Sequence, residues 1–454
     1  MGFSHWFNRT LNRTWGFIED RTGMPKWALR PQPEFSFKPS YWTGAFVANA
    51  FFTQVATGLL LLLYYQPSVN PTLLSCGQTL GAVSTAPAAW CSTYYIINSV
   101  PMGSLLLTSH LYGAYAMIFL AFVHFFRGYY LGVYKRPREF SWMVGTLLLL
   151  LTLGMGFTGY LLPYTQLAFN ATQVGLVLAI RLPYAGPLVG PLILGDGTAQ
   201  GLLSRMFAAH VVLIPFALGA LLYAHIALFE SHGIAPPASS DPTQRRRFTE
   251  KEDQKHVPFM PHILFYITKW ALLYLGLLFG LAALWPWELP TYVGNVAAAG
   301  VVTEPDWYFL WLFKFLDFYG VTPVLAVGVT TVIILYVLGL PLLDRSPRTH
   351  PRDRPVWIFI GTTFLEVLLL LTVWGGLTPG IQIFPTEIVE RLLPLALVNA
   401  VVFYLFHRRY RRSYLARIAA REQGTQLGGV YAPAPALPRP AAVARTAEVA
   451  PAHE

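Results

Sequence analysis

The chain has 454 residues, 54% of them hydrophobic and only 12% charged, with a mean hydropathy of +0.47. Soluble proteins of this length carry about a quarter of their residues charged, so a soluble enzyme is excluded, and so is disorder for most of the chain. The net charge of +10 is gathered in short loops between apolar runs and does not indicate nucleic acid, while two cysteines are too few for a disulfide framework, a zinc ribbon or an iron–sulfur cluster.

In chain order, His5–Asp20 mixes aromatics with Arg and Asn and is too short to cross a bilayer. It is expected as an amphipathic helix on the cytoplasmic membrane surface. It lacks the apolar core of a cleavable signal peptide, and none is expected. Eight apolar stretches follow, each about the length of a bilayer crossing. They are Tyr41–Tyr65, Ser104–Phe126, Ser141–Tyr160, Met206–Phe229, His262–Trp285, Thr322–Leu343, Val356–Leu377 and Arg391–Phe406. Backbone polar groups in lipid must be satisfied internally, so these spans are helices. The expected fold class is an all-α integral membrane protein of eight transmembrane helices, the first four forming a bundle.

Most of the 32 basic residues fall before span one, between spans two and three, four and five, six and seven, and after span eight. Cytoplasmic loops collect Lys and Arg, so both termini are expected inside, consistent with an even number of spans. Two outer connections are long, Leu161–Arg205 with apolar helical pieces, and Pro286–Gly320 with the run PDWYFLWLFKFL. Long loops in compact folds are usually functional. The last stretch, Gly424–Glu454, is rich in Ala, Pro and Val without periodicity and is expected to be disordered.

His110 and His124 lie on span two, His210 and His225 on span four. Intervals of 14 and 15 residues are about four helical turns, which puts each pair on nearly one face, roughly 21 Å apart. Both spans run from outside to inside, so His110 is level with His210 and His124 with His225. Two facing imidazoles at each of two depths suit two haems with bis-histidine iron, His110 and His210 for the outer and His124 and His225 for the inner. The alternative is that these histidines relay protons or pack, although ionisable groups inside a membrane are expensive. Gly44 and Gly58 on span one, and Gly145 and Gly159 on span three, repeat the interval of 14. They are read as clearance for two macrocycles, against ordinary small-residue helix packing.

Together these features resemble cytochrome b, the quinone-binding core of the cytochrome bc and b/f complexes, over nearly the whole chain to about Arg421. The resemblance also rests on QVATGLL and YYQP within Gln54–Pro67, YKRPREFSW, GYLLPYTQ (Gly159–Gln166), SRMFAAH, KHVPFMPH, PDWYF (Pro305–Phe309) and LLDRSPRTHPRDRP, in order and on the expected sides. The fourth-span interval and the QVATG stretch are similar to the bacterial and b/f-type branch, which often divides the protein after span four; here all eight spans share one chain. That branch holds a third, covalent haem on a cysteine where this chain has Trp42, so only two non-covalent b haems are implied.

The resemblance implies roles residue by residue. Arg127 and Arg205 match haem-propionate contacts, the alternative being interfacial snorkelling. The arginine usual three residues before the first span-two histidine is replaced by Leu107. Asp306 of PDWY matches the acidic residue that accepts a quinol proton, although Glu304-Pro305-Asp306 also reads as the acidic, proline-marked start of a helix. Most members carry Glu there, and the Asp form goes with low-potential quinones, so menaquinone is favoured. Tyr308 and Tyr160 are the next candidates around that pocket. For an inner quinone site, Glu230 and His232 lie near the usual histidine, whereas Ile267-Thr268-Lys269-Trp270 lacks the usual aspartate. Cys76 and Cys91 share the outer loop after span one and suit a disulfide in an oxidising compartment, or two free thiols.

The organisation expected is a cytoplasmic N-terminal segment (1–40), a dihaem four-helix bundle (41–232), a cytoplasmic linker (233–261), a four-span domain with the PDWY segment (262–407), and a basic then disordered tail (408–454). The function implied is the catalytic subunit of a quinol:cytochrome c (or equivalent acceptor) oxidoreductase in a bacterial inner membrane. It would oxidise quinol outside and reduce quinone inside, adding to the proton gradient. The chain has no iron–sulfur motif and no CxxCH haem attachment, so it requires partners: a Rieske-type iron–sulfur protein and a c-type cytochrome subunit or other electron acceptor, in a dimeric complex, with no nucleic acid. A haem-bearing anchor of a dehydrogenase or hydrogenase needs the histidines but not PDWY. A proton-relaying transporter predicts internal repeats, which the sequence does not display.

Overall fold

The computed structural model describes residues 31–71, 76, 86–182, 184, 186–194, 197–238, 256–294 and 304–427, with Trp6, Arg9, Thr10, Arg13, Thr14, Gly16, Phe17, Asp20 and Arg21 near the N-terminus. Among these residues eight helices are long and apolar enough to cross a membrane. They are α1 (Thr43–Leu62), α3 (Gly103–Tyr130), α4 (Glu139–Tyr160), α7 (Ala199–His232), α8 (Phe259–Leu284), α10 (Pro323–Leu343), α11 (Pro355–Leu377) and the membrane part of α12 (Pro385–Leu427). Shorter helices are α2 (Ala88–Ser99), α5 (Gln166–Ile180), α6 (Gly186–Leu194) and α9 (Trp307–Leu316). A small antiparallel pair, β1 (Pro31–Pro33) and β2 (His256–Pro258), sets Gln32 opposite Val257. Proline in both strands fits an edge pair with few ladder bonds to lose.

All eight expected spans are present, with shifted ends. The fourth begins at Ala199 and the eighth at Pro385, several residues before the apolar run. The reason is local: the Thr198 side chain accepts from the Gly201 amide, and Pro385 supplies the preset φ of a first helical residue. Each helix can therefore start in polar sequence. The described residues between Trp6 and Arg21 are helical, and the Arg21 guanidinium lies 3.6 Å over the Phe17 ring. The basic stretch 245–255 and the tail beyond 427 lie outside the described residues.

Helix α1 packs along α3, and α4 along α7. Three small buried cores tie the helices together. Leu161, Tyr164, Leu203 and Met206 gather where α4, α5 and α7 meet. Tyr129, Tyr134, Trp142 and Leu340 gather at the other end, and Phe318, Leu371, Trp374 and Ile383 tie α9 and α11. Beside the second core, Lys135 Nζ and Arg354 Nε bond opposite oxygens of Asp344 at 2.6 and 2.7 Å, and Tyr134 donates to it at 2.6 Å. Burial pushes the Asp344 carboxyl up, but these three donors outweigh it and hold its pKa below the ordinary 3.8. Cys76 and Cys91 are joined in a disulfide, which anchors residue 76 to α2.

Candidate functional site

Helices α3 and α7 carry the four histidines, and the bundle brings them together in pairs. The rings of His110 and His210 lie 6.2 Å apart between centroids, at 77°. Those of His124 and His225 lie 6.4 Å apart, at 79°. The unequal intervals on the two helices are reconciled by one turn. Residues Ala209–Leu213, including His210, form a π-turn, which takes up an extra residue and keeps both pairs level. Pro215 follows directly; it cannot donate to the preceding turn, and such bulges recur at functional sites.

Each imidazole is seated on a glycine of the neighbouring helix. A Cβ on Gly44 would meet His124 Cε1 at 3.1 Å, and one on Gly58 would meet His110 Cε1 at 3.2 Å. On Gly145 and Gly159 it would meet Cε1 of His225 at 3.1 Å and of His210 at 2.5 Å. What packs on each glycine is therefore an imidazole ring.

Three of the four Nδ1 atoms have hydrogen-bond partners. Thr57 Oγ1 lies 2.8 Å from His110 Nδ1 and already donates to the Thr53 carbonyl, so it accepts the Nδ1 proton. His210 Nδ1 donates to the Met155 carbonyl at 3.1 Å, with Thr158 Oγ1 at 3.3 Å. Thr43 Oγ1 lies 2.9 Å from His124 Nδ1, and His225 faces the Ser141 backbone without a hydrogen bond of good geometry. A proton held on Nδ1 leaves the Nε2 lone pair as a ligand. Among the described residues no hydrogen bond reaches any of the four Nε2 atoms.

The donor set fits a bis-imidazole iron. Two metal–imidazole bonds of about 2 Å each, with the distance from each Nε2 to its ring centre, span roughly 6 Å, which matches both pairs. The Arg127 guanidinium sits 4.7 Å over the Tyr41 ring, and its Nε is buried without a partner, an orphan donor suited to an anionic group. Arg205 bonds the Gly201 carbonyl of its own helix at 3.0 Å.

A cavity of about 340 Å³ runs from His110 and His210 to Tyr115, Tyr160, Asp306 and Tyr308. Asp306 occupies the N-cap position of α9 but makes no capping bond. Its oxygens instead accept from Tyr115 at 2.7 Å and Tyr308 at 3.0 Å. Tyr160 donates to the Glu304 carbonyl at 3.0 Å. Burial pushes the Asp306 carboxyl above its ordinary 3.8, and the two phenolic hydrogen bonds reduce but do not cancel the shift. Helix α9 is pinned from behind by Lys314, fully buried, whose Nζ donates to the Thr378 and Ile381 carbonyls at 2.7 and 3.1 Å.

At the other end, His232 Nδ1 turns to the Leu228 carbonyl of its own helix at 2.8 Å, and Glu230 is exposed in the last helical turn of α7. Closer to a built site, α8 carries three buried polar atoms without partners: His262 Nδ1, Trp270 Nε1 and Tyr274 OH. The Trp270 ring lies 6.2 Å from Phe46 on α1.

The sequence reading missed Thr43, Thr57 and Thr158, although Thr-Gly recurs at 43–44, 57–58 and 158–159 and is the visible trace of the pairing. His262 and Lys314 lie in the quoted runs KHVPFMPH and PDWYFLWLFKFL without being singled out there, and Tyr115 and Tyr274 carry no local signal.

Residues 115–291 match the family described as cytochrome b (N-terminal)/b6/petB, and residues 294–390 match cytochrome b (C-terminal)/b6/petD. A protein of Sulfolobus acidocaldarius named cytochrome b is 35% identical over 416 residues, covering 86% of this chain and 70% of that protein. The menaquinol:cytochrome c reductase cytochrome b subunit of Geobacillus thermodenitrificans is 35% identical over 240 residues, 50% of this chain and 99% of that one. Among solved structures, a chain of a hyperthermophilic respiratory Complex III superposes with a TM-score of 0.64 at 25% identity, covering 86% of this chain and 96% of that chain.

Proposed function

The chain belongs to the cytochrome b family, as the cytochrome b subunit of a bc-type quinol–cytochrome c oxidoreductase complex, and from that premise we propose that it holds two non-covalent b haems and a quinol-oxidising site at Asp306. The observation that carries this reading is the arrangement of two imidazole pairs at 6.2 and 6.4 Å, the outer one opening into the cavity that Asp306 lines. His110 and His210 would hold one haem and His124 and His225 the other, with Arg127 and Arg205 near their charged edges. Bound there, the haems supply one-electron carriers at two depths of the membrane.

The chain's own residues do the rest. Gly44, Gly58, Gly145 and Gly159 let the rings approach, and the threonines keep Nδ1 protonated. Asp306, raised by burial, accepts a quinol proton as general base, with Tyr308 and Tyr160 shaping the pocket. Menaquinone is the favoured quinone, in keeping with the name of the Geobacillus relative. An inner quinone site lies at the other end; Glu230 and His232 are candidates from sequence, and the unpartnered atoms of His262 and Trp270 are the stronger ones.

The division into a dihaem bundle (41–232) and a four-span domain (262–407) follows from where the histidines and PDWY lie. Partners on this reading are a Rieske-type iron–sulfur protein and a c-type cytochrome in a dimeric complex, with both termini cytoplasmic in a bacterial inner membrane. The test is a dithionite-reduced minus oxidised spectrum with pyridine haemochrome stoichiometry on the purified chain. Two b haems, with one lost in His110→Ala and the other in His225→Ala, support the reading. A well-folded chain without haem overturns it.

A further inference from the structure

The carboxylate of Asp306 is engaged on both sides. Tyr115 donates to Oδ1 at 2.7 Å and Tyr308 to Oδ2 at 3.0 Å. The two phenols are not equivalent. Tyr308 is 3% exposed, and its hydroxyl packs on Gly156, where a Cβ would lie 2.7 Å from it. Tyr115 is less buried. It projects from α3 five residues after His110 and lines the same cavity as His110, His210 and Asp306. Its ring rests against Tyr112, with centroids 6.4 Å apart, and the Tyr112 hydroxyl is tied to the Trp285 carbonyl at 2.7 Å, which holds the pair in place. A phenol that gives its hydrogen to a carboxylate keeps its oxygen lone pairs for another donor.

We propose that Tyr115 is a catalytic proton relay, taking the proton from a quinol hydroxyl in the cavity while passing its own to Asp306 Oδ1. This rests on the reading of the cavity as the quinol-oxidising site. In the step, the quinol O–H bond breaks and an O–H bond forms on Tyr115. The original Tyr115 O–H bond breaks and one forms on Asp306. The relay moves no electrons; those leave the quinol to the acceptors of the complex. Asp306 at the start of α9 is short and already hydrogen-bonded, and the phenol extends its reach to the substrate. Tyr308, enclosed against Gly156, fixes the other oxygen.

The experiment uses the purified complex with menadiol as the quinol probe, and reads kcat, KM, the solvent deuterium isotope effect on kcat and the haem spectrum. The variants are Tyr115→Phe, Asp306→Asn, their combination, and Tyr115→Phe with Asp306→Glu. Loss of one proton-transfer group costs about 10²-fold in kcat. The expected result is such a loss in Tyr115→Phe, with KM within about twofold, an unchanged haem spectrum and an altered isotope effect. The combined Tyr115→Phe and Asp306→Asn variant should be no slower than Asp306→Asn, because groups acting in series are not additive. Glutamate, longer by one methylene, should restore at least tenfold in the Tyr115→Phe background. A slow Asp306→Asn beside a normal Tyr115→Phe overturns the relay and leaves the quinol site standing. Normal turnover in both overturns the quinol site itself. Loss of haem signal in Tyr115→Phe, or no rescue by glutamate, assigns Tyr115 to packing and overturns the relay.

Discussion

Gly159→Ala tests the imidazole seats at their tightest point. A Cβ there lies 2.5 Å from His210 Cε1, 3.0 Å from Nδ1 and 3.2 Å from Nε2. Non-bonded carbons settle at about 3.5–4.0 Å, so the ring must withdraw by about 1 Å. It is not free to do so, because Nδ1 is bonded to Met155 O at 3.1 Å and the opposite ring is 6.2 Å away. Overpacking of this kind costs about 1–3 kcal/mol, and a metal–imidazole bond of about 2 Å cannot stretch to absorb the movement. At Gly58, which faces the other ring of the same pair, the contact is 3.2 Å, and a shift of a few tenths of an ångström suffices. Gly159→Ala should therefore reduce pyridine haemochrome stoichiometry from two haems to one, while Gly58→Ala keeps two. The inner pair is the internal control for folding. Two haems retained in Gly159→Ala, or equal loss in Gly58→Ala, would refute the seat as the reason for these glycines.

Four further outcomes are expected. Thr57→Val removes the acceptor for His110 Nδ1, and loss of such a partner costs about 10–100-fold in metal affinity; haem retention during titration with apomyoglobin measures it. Because burial raises the Asp306 pKa above 3.8, the basic form is lost as pH falls through that raised value, so menadiol oxidation should show an acid limb above the ordinary aspartate range, and Asp306→Asn should abolish it. Lys314→Met strands the Thr378 and Ile381 carbonyls and Asp317, which is 21% exposed and can rehydrate, so the cost should be about 2–4 kcal/mol. That loss should appear as a lower thermal inactivation midpoint with haem content unchanged. The Asp344 pKa is depressed, so its stabilising contribution is complete above 3.8 and is lost as pH falls through the lower folded value. Asp344→Asn, which removes the carboxylate charge that Lys135 and Arg354 share, should melt earlier at neutral pH and lose that acid-limb dependence.

Much of this protein is written in local sequence. Eight apolar runs can only be helices in lipid, because a bilayer offers backbone groups no other partner. The histidine intervals were legible because the helical repeat is fixed, and a polar ring in an apolar span must be explained. The glycines were legible by the same interval, but their protein contacts were not: each lies against an imidazole from the next helix. The π-turn at Ala209–Leu213 was hidden as well, since an interval of 15 reads as a near match to 14 until the helix is seen to take up the extra residue. The catalytic neighbourhood was least visible. Tyr115 and Asp306 are 191 residues apart, and Lys314 reaches carbonyls 64 and 67 positions away. Periodicity reports which face of a helix is apolar, but only the packing of α9 against α3, α4 and α11 decides which distant polar groups share a buried space and must therefore bond to one another.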